Sequence, residues 1–329
     1  MKDVAKEAGV ALGTVSKVIN GLPVGESYRV RVEKAAAKLG YQVNNYARGL
    51  RTSKTRLVAV LLPGTLHPFF GALAEHLYKE LSRRGYRMLL SLSGYNVSAE
   101  QACIQMVRRN KVDGIIGLTY SPEIDIPSSI PFVSIDRYFG PDIPCVTSDN
   151  FSGGQLAAQK LEELGCKRLL FFRKGSAVHG EADKRGPGFE SYCQFHGLNY
   201  TAFRVNDEEG FSPFEDFLRE HLGDDGLEFD GIFCNTDTLA AHVMVMLRKM
   251  GVSVPEQVQI IGFDGTRMIG FHRYYCSTIV QPVDKLAEAA VSILLNEQPS
   301  TPPALVCLPV TYAPGGSTKD GGSSWPVST

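Results

Sequence analysis

The chain has 329 residues, 43% of them hydrophobic, and 34 basic against 35 acidic side chains give a formal net charge of −1. That composition supports a sizeable core and excludes a disordered chain. No apolar run approaches the length of about 18 residues that a membrane-spanning helix needs, so a membrane partner is not expected.

Near-neutrality argues against a nucleic-acid partner only if charge is spread evenly, and here it is not. Between Met1 and Arg56 eleven basic residues stand against four acidic ones, a charge of +7, which leaves −8 on the remainder. A basic module joined to an acidic body produces such asymmetry. Within the basic segment Val4, Ala5, Ala8 and Val10 place small apolar residues along one side of a first helix that Gly9 closes. A tight turn, Gly9-Val10-Ala11-Leu12, leads to a second short helix from Thr14 to Asn20, stopped by Gly21 and Pro23. A third helix is predicted from about Tyr28 to Leu39, with Val32, Ala35, Ala36 and Leu39 facing inward. Two short helices about a tight turn, buttressed by a third, predict a helix-turn-helix unit over residues 1–43.

From Leu57 onward, strand-like apolar runs alternate with amphipathic helices. Strands are predicted at Leu57–Leu62, Arg87–Leu92, Gly114–Leu118, Pro131–Ile135, Arg168–Phe172, Gly231–Cys234 and Gln259–Phe263. Helices are predicted near Phe70–Arg84, Ala99–Arg109, Ser152–Gly165, Pro187–His196, Pro213–His221, Thr238–Gly251 and Val283–Leu295. The alternation predicts an α/β body over 57–313, two doubly wound parallel-sheet subdomains with a cleft between them. Parallel sheets bind ligands beyond the carboxyl ends of their strands, so the polar residues there are the informative ones. From Pro314 the Gly- and Ser-rich composition predicts a disordered tail, 314–329, carrying the single tryptophan, Trp325.

Seven widely spaced cysteines form neither a CxxC pattern nor an even disulfide set, so reduced, mostly buried thiols are expected. The histidines have no metal-ligand spacing; only His67, beside the expected cleft, is of interest. There is no GxSxG elbow, phosphate loop or GxGxxG fingerprint. No metal, cofactor or catalytic residue is expected, and the chain does not read as an enzyme. The N-terminus lacks the basic and apolar regions of a secretory signal, which implies a cytoplasmic protein.

Asp3-Val4-Ala5-x-x-Ala8-Gly9-Val10 followed by Thr14-Val15-Ser16-x-Val18-Ile19-Asn20-Gly21 resembles the DNA-binding headpiece of the lactose-repressor family of bacterial transcription regulators. Tyr41-Gln42-Val43-Asn44-x-x-Ala47-x-x-Leu50 is similar to that family's hinge, here residues 44–56 with the linker. In the body, Ile135-Asp136-Arg137, Asp149-Asn150-x-x-Gly153-Gly154, Arg185-x-x-Gly188-Phe189, Cys234-Asn235-Thr236-Asp237, Ile261-Gly262-Phe263-Asp264 and Thr278-Ile279-Val280-Gln281-Pro282 extend the resemblance, and imply a core like that of periplasmic sugar-binding proteins.

The resemblance implies a cytoplasmic, dimeric DNA-binding regulator, most simply a repressor, acting on pseudo-palindromic double-stranded operator DNA. Leu12, Gly13 and Lys17 are its candidate base-readers, with Thr14, Ser16 and Asn20 holding phosphates and register. In the family the hinge forms a short helix on operator DNA and inserts a leucine pair into the minor groove; Leu50, with Ala47 one turn earlier, stands where that wedge belongs. The implied effector site comprises Phe69, Phe70, Asn150, Arg185, Phe211, Thr236, Asp264 and Gln281. Charged and amide groups for hydroxyls, with aromatic faces for C–H groups, suit a sugar. The adjacent Phe69 and Phe70 also suit a stacked purine. Two other classes compete: a solute-binding receptor with the same core, which the basic module disfavours, and a processing enzyme on an α/β scaffold.

Overall fold

The computed structural model describes the chain except residues 20, 42–54, 111, 122–123, 268–272, 298–302 and 322–329. Asn20, Ala47, Leu50 and Trp325 therefore lie outside the described residues. Contacts divide the chain into two units, Met1–Thr55 and Arg56–Thr329. Among the described residues no helix is long and apolar enough to cross a membrane.

The first unit contains α1 (Lys2–Ala8), α2 (Leu12–Ile19) and α3 (Glu26–Lys38). Gly9 ends α1 at φ 61°, and the next amide, of Val10, donates to the Ala5 carbonyl at 3.1 Å. That left-handed closure suits glycine. A Cβ there would also meet the Arg31 guanidinium at 2.9 Å, which donates to the Ala8 and Gly9 carbonyls at the same helix end. Val4, Ala5, Ala8, Val15, Val32 and Ala35 form the small core. Leu39, expected on the inner face of α3, stands one residue past the helix end and is 45% exposed.

In the second unit β1 (Leu57–Leu62), β2 (Arg87–Leu92), β3 (Gly114–Gly117), β4 (Phe132–Ile135), β5 (Cys145–Ser148) and the late β13 (Leu305–Leu308) make one parallel sheet, ordered β13-β5-β4-β3-β1-β2. The second sheet has β6 (Arg168–Gly175), β7 (Asn199–Asn206), β10 (Gly231–Cys234), β11 (Gln259–Asp264), β12 (Ser277–Val280) and β14 (Thr311–Ala313) in the order β14-β12-β11-β10-β6-β7, with only β14 antiparallel. A minor hairpin, β8 (Leu222–Gly223) and β9 (Gly226–Leu227), stands apart. Helices α4 (Pro68–Arg83), α5 (Val97–Asn110), α6 (Asn150–Glu163), α7 (Arg185–His196), α8 (Ser212–Glu220), α9 (Asp237–Lys249) and α10 (Val283–Leu294) cover the sheets.

All seven predicted body helices and all seven predicted strands are present. The chain passes between subdomains after β5, after β12 and after β13. Thus α10, late in sequence, buries Leu286, Ala287, Ala290 and Val291 against Phe70, Leu73 and Leu77 of α4 in the first subdomain's core.

The segment from Pro314, expected to be a disordered tail, is ordered through Gly321. Ser317 and Thr318 are buried. The Ile260 amide donates to the Ser317 carbonyl at 2.8 Å, and the Ser317 hydroxyl donates to the Ile260 carbonyl at 2.7 Å while accepting from the Ser277 amide at 2.8 Å. These bonds replace the apolar burial that the segment's composition cannot supply.

Candidate functional site

Residues beyond the strand ends of both sheets enclose a cavity of about 120 Å³. Asp264 ends β11 and Asp136 follows β4, both at positive φ, 127° and 54°. Their carboxyls are buried, and burial pushes both above the usual carboxylate range, against the pull of the Arg185 charge. Asp264 Oδ1 accepts from Gln281 Nε2 at 2.8 Å and lies 3.6 Å from Arg185 Nη1. Its Oδ2 has no hydrogen-bond partner among the described residues, and His67 Nε2 stands 4.0 Å away.

The first residue of α7, Arg185, is held on three sides. Its Nε donates to Asn150 Oδ1 at 2.8 Å, its Nη1 donates to the Asn235 carbonyl at 2.6 Å, and its guanidinium carbon lies 3.6 Å from the Phe263 ring centroid. Asn150 Nδ2 donates to Thr147 Oγ1 at 3.1 Å, and the Thr147 hydroxyl donates to Asp136 Oδ1 at 2.7 Å. At the other end of this chain of contacts the Ser148 hydroxyl donates to Gln281 Oε1 at 2.8 Å. One polar network therefore runs through both subdomains and two of the crossovers.

Phe69, Phe70, Arg185, Thr236 and Asp264 line the cavity, whereas Asn150 and Gln281 stand behind Arg185 and Asp264 as supports. Phe211 does not line it. Its ring stacks on His242 with centroids 3.7 Å apart at 4°, and the Lys174 ammonium is 5.3 Å from it, so the ring is engaged within its own subdomain. Thr236 also caps α9, accepting from the Leu239 amide. Phe69 and Phe70 meet edge to face at 63°, not as parallel plates around a flat base. Cavity residues absent from the sequence-derived set include Tyr95, Tyr120, Asp136, Arg137, Lys174 and Asn235. Three of them, Asp136, Arg137 and Asn235, lie in the family-like strings Ile135-Asp136-Arg137 and Cys234-Asn235-Thr236-Asp237; position just after a strand is the signal that could have pointed to them.

In the first unit Val15 anchors α2 in the core, while Leu12, Gly13 and Lys17 are exposed and Thr14 and Ser16 half-buried. Leu12 at 45% exposure is available for contact rather than packed in the turn.

The family model described as "Bacterial regulatory proteins, lacI family" matches residues 1–44, and a periplasmic binding protein-like domain matches 158–318. The ribose operon repressor of Bacillus subtilis is 33% identical over 322 residues, covering 95% of this chain and 96% of its own. The chain belongs to the lacI family. Another lacI-family relative, the sucrose operon repressor of Pediococcus pentosaceus, is 32% identical over 303 residues, 90% of this chain and 91% of its own. A periplasmic binding protein/LacI transcriptional regulator from Alkaliphilus metalliredigens QYMF, solved with D-xylulofuranose, is 27% identical with a TM-score of 0.67 over 80% of this chain and 99% of that one. The lac repressor dimer bound to operator and the anti-inducer ONPF shares the fold, with a TM-score of 0.79 at 20% identity over 96% of this chain and 98% of that one. This lacI-family chain is a DNA-binding transcription regulator rather than an enzyme.

Proposed function

We propose that the protein is a repressor that binds operator DNA as a homodimer through its helix-turn-helix unit and is controlled by a sugar held in the cleft. The observation that carries the sugar reading is Asp264: a buried carboxyl, braced by Gln281 and Arg185, with Oδ2 lacking a hydrogen-bond partner among the described residues beside the Phe70-lined cavity. A ligand hydroxyl donating to that oxygen satisfies it, and aromatic edges and faces take C–H groups. Sucrose and ribose operon repressors among the relatives, and the D-xylulofuranose complex, support the same class. The edge-to-face phenylalanines disfavour a purine.

The dimer reading rests on β2, an outer strand of the first sheet whose Leu90 and Leu92, two residues apart on one face, are 37% and 49% exposed. Effector control follows from the network joining the crossovers: a ligand that pulls on Asp264 and Asp136 together biases how the subdomains close. Calorimetric titration of sugars and purines into the full chain tests the site. Asp264→Ala should weaken the bound sugar by about 100-fold, the cost of leaving a buried hydrogen-bonding partner unpaired being about 2–3 kcal/mol. Purine binding in place of sugar, or unchanged affinity in the variant, would overturn this reading.

A further inference from the structure

The turn after β2 holds a tyrosine where glycine belongs. Ser93 to Asn96 close a tight turn, the Asn96 amide donating to the Ser93 carbonyl at 3.0 Å, and both central residues are left-handed: Gly94 at φ 58° and Tyr95 at φ 62°. A bulky side chain there is costly, and such cost persists where the surroundings impose it. The result is a half-exposed phenol ring on the cleft wall, with its centroid 5.5 Å from that of Tyr120.

A buried carboxylate ties the two tyrosine-bearing loops together. Glu100 is fully buried, and its Oε1 accepts from the Ser93 hydroxyl at 3.4 Å and from the Tyr120 amide at 3.3 Å. One side chain thus ties the turn that carries Tyr95 to the loop after β3 that carries Tyr120. Lys174 and Asp207 of the other subdomain line the same cavity, the Lys174 ammonium 3.2 Å from Asp207 Oδ1. Burial and the Asp207 charge raise the Tyr95 hydroxyl above its ordinary value, and both residues line the cavity. The cleft therefore repeats one set of chemistry. Asp264, Arg185 and Phe70 supply a carboxylate, a cation and an aromatic ring; Asp207, Lys174 and Tyr95 supply them again.

We propose that Tyr95 and Tyr120, facing Lys174 and Asp207, form an outer subsite that stacks the second ring of a two-ring glycoside whose first ring is held by Asp264 and Arg185. This rests on the sugar reading above and narrows it. Glu100 is a positioning residue for the outer subsite.

The test is calorimetric titration of the full-length protein with sucrose, maltose and cellobiose against glucose, fructose and ribose. Wild type is compared with Tyr95→Gly, which suits the left-handed turn better than tyrosine, with Tyr95→Phe and with Asp264→Ala. A disaccharide should bind tightest. Tyr95→Gly should weaken it by about tenfold, the scale of a lost aromatic stacking contact, while leaving the constituent monosaccharide within about twofold on the same scale. Tyr95→Phe should keep most of the disaccharide affinity, and Asp264→Ala should weaken both classes. A monosaccharide as the tightest ligand, or a Tyr95→Gly variant that binds disaccharide as well as wild type or loses both classes equally, overturns the outer subsite while the sugar reading stands. If no sugar in the panel binds, the sugar reading falls and the outer subsite falls with it.

Discussion

Asp136 and Asp264 do the same thing in different sheets. Each sits at or just past a strand end with positive φ, and each turns a carboxyl into the cleft at the expense of its hydration. Burial raises both, and it also raises Asp237 nearby, where the Asp264 charge adds to the effect. A carboxyl raised in the folded state holds its proton at a pH where the unfolded chain has lost it. Its stabilising contribution is complete below the ordinary carboxylate range of about 4 and is lost as pH rises through the folded value. Asp136→Asn isolates one such group, because asparagine tolerates the left-handed backbone and its carbonyl still accepts from Thr147. The variant should melt above wild type at pH 8, and the gap should close as pH is lowered toward the ordinary carboxylate range. Thermal melts across a pH series check this; a gap that widens toward low pH would contradict the burial argument. The same desolvation that costs stability makes the Asp264 oxygen a strong acceptor for a ligand hydroxyl.

Arg185 reaches Asp264 only because two helices touch backbone to backbone. A Cβ on Gly154 of α6 would overlap the Arg185 carbonyl, and one on Gly188 of α7 would overlap the Phe151 carbonyl. The close crossing brings the first residue of α7 onto Asn150, the first residue of α6. Gly188→Ala should therefore cost about 2–3 kcal/mol through overpacking, lowering the melting temperature by roughly 4–10 °C for a body of this size, and should weaken effector binding as Arg185 shifts. Differential scanning calorimetry with a parallel ligand titration reads both; an unchanged melt would mean the helices part freely. Most of this scaffold is legible in sequence because its helices are amphipathic and its central strands are continuous apolar runs. The unpredicted strands lack that signal: β7 lies at a sheet edge with polar residues interleaved, β5 and β12 are four residues long beside polar crossovers, and β13 and β14 pair with elements far away in sequence. Ser317 escapes a composition rule because hydroxyls, rather than apolar groups, fasten it. In the cleft, charged residues after strands are readable. The displacement of Phe211 onto His242 and the arrival of Tyr95 depend on which loops face each other, and no local pattern records that.

At the scale of the whole molecule, a charge of +7 before residue 57 and −8 after it separates the two binding tasks. Neutralising phosphates releases condensed counterions, so operator affinity falls with a slope of about −0.9 per phosphate contact on logarithmic axes. The proposed dimer, if it makes about 6–10 such contacts, should lose roughly 10³–10⁵ in operator affinity between 50 and 200 mM salt. On the proposed sugar reading the cleft takes a neutral ligand, so sugar affinity in the absence of DNA should change little over that range. With operator present the two become linked. If the sugar weakens operator binding by a given factor, operator must weaken sugar binding by that same factor, about 5–150-fold for couplings of ordinary size. The network from Ser148 through Gln281 to Asp264 joins two crossovers directly, and on the proposed effector control it is a contact through which cleft occupancy would change the angle between subdomains. Gln281→Ala should accordingly shrink the coupling factor more than it shrinks operator affinity measured without sugar. Fluorescence anisotropy on labelled operator, repeated at several sugar concentrations for wild type and variant, completes the cycle. A Gln281→Ala protein that retains the full coupling factor would show that the subdomains communicate by another route.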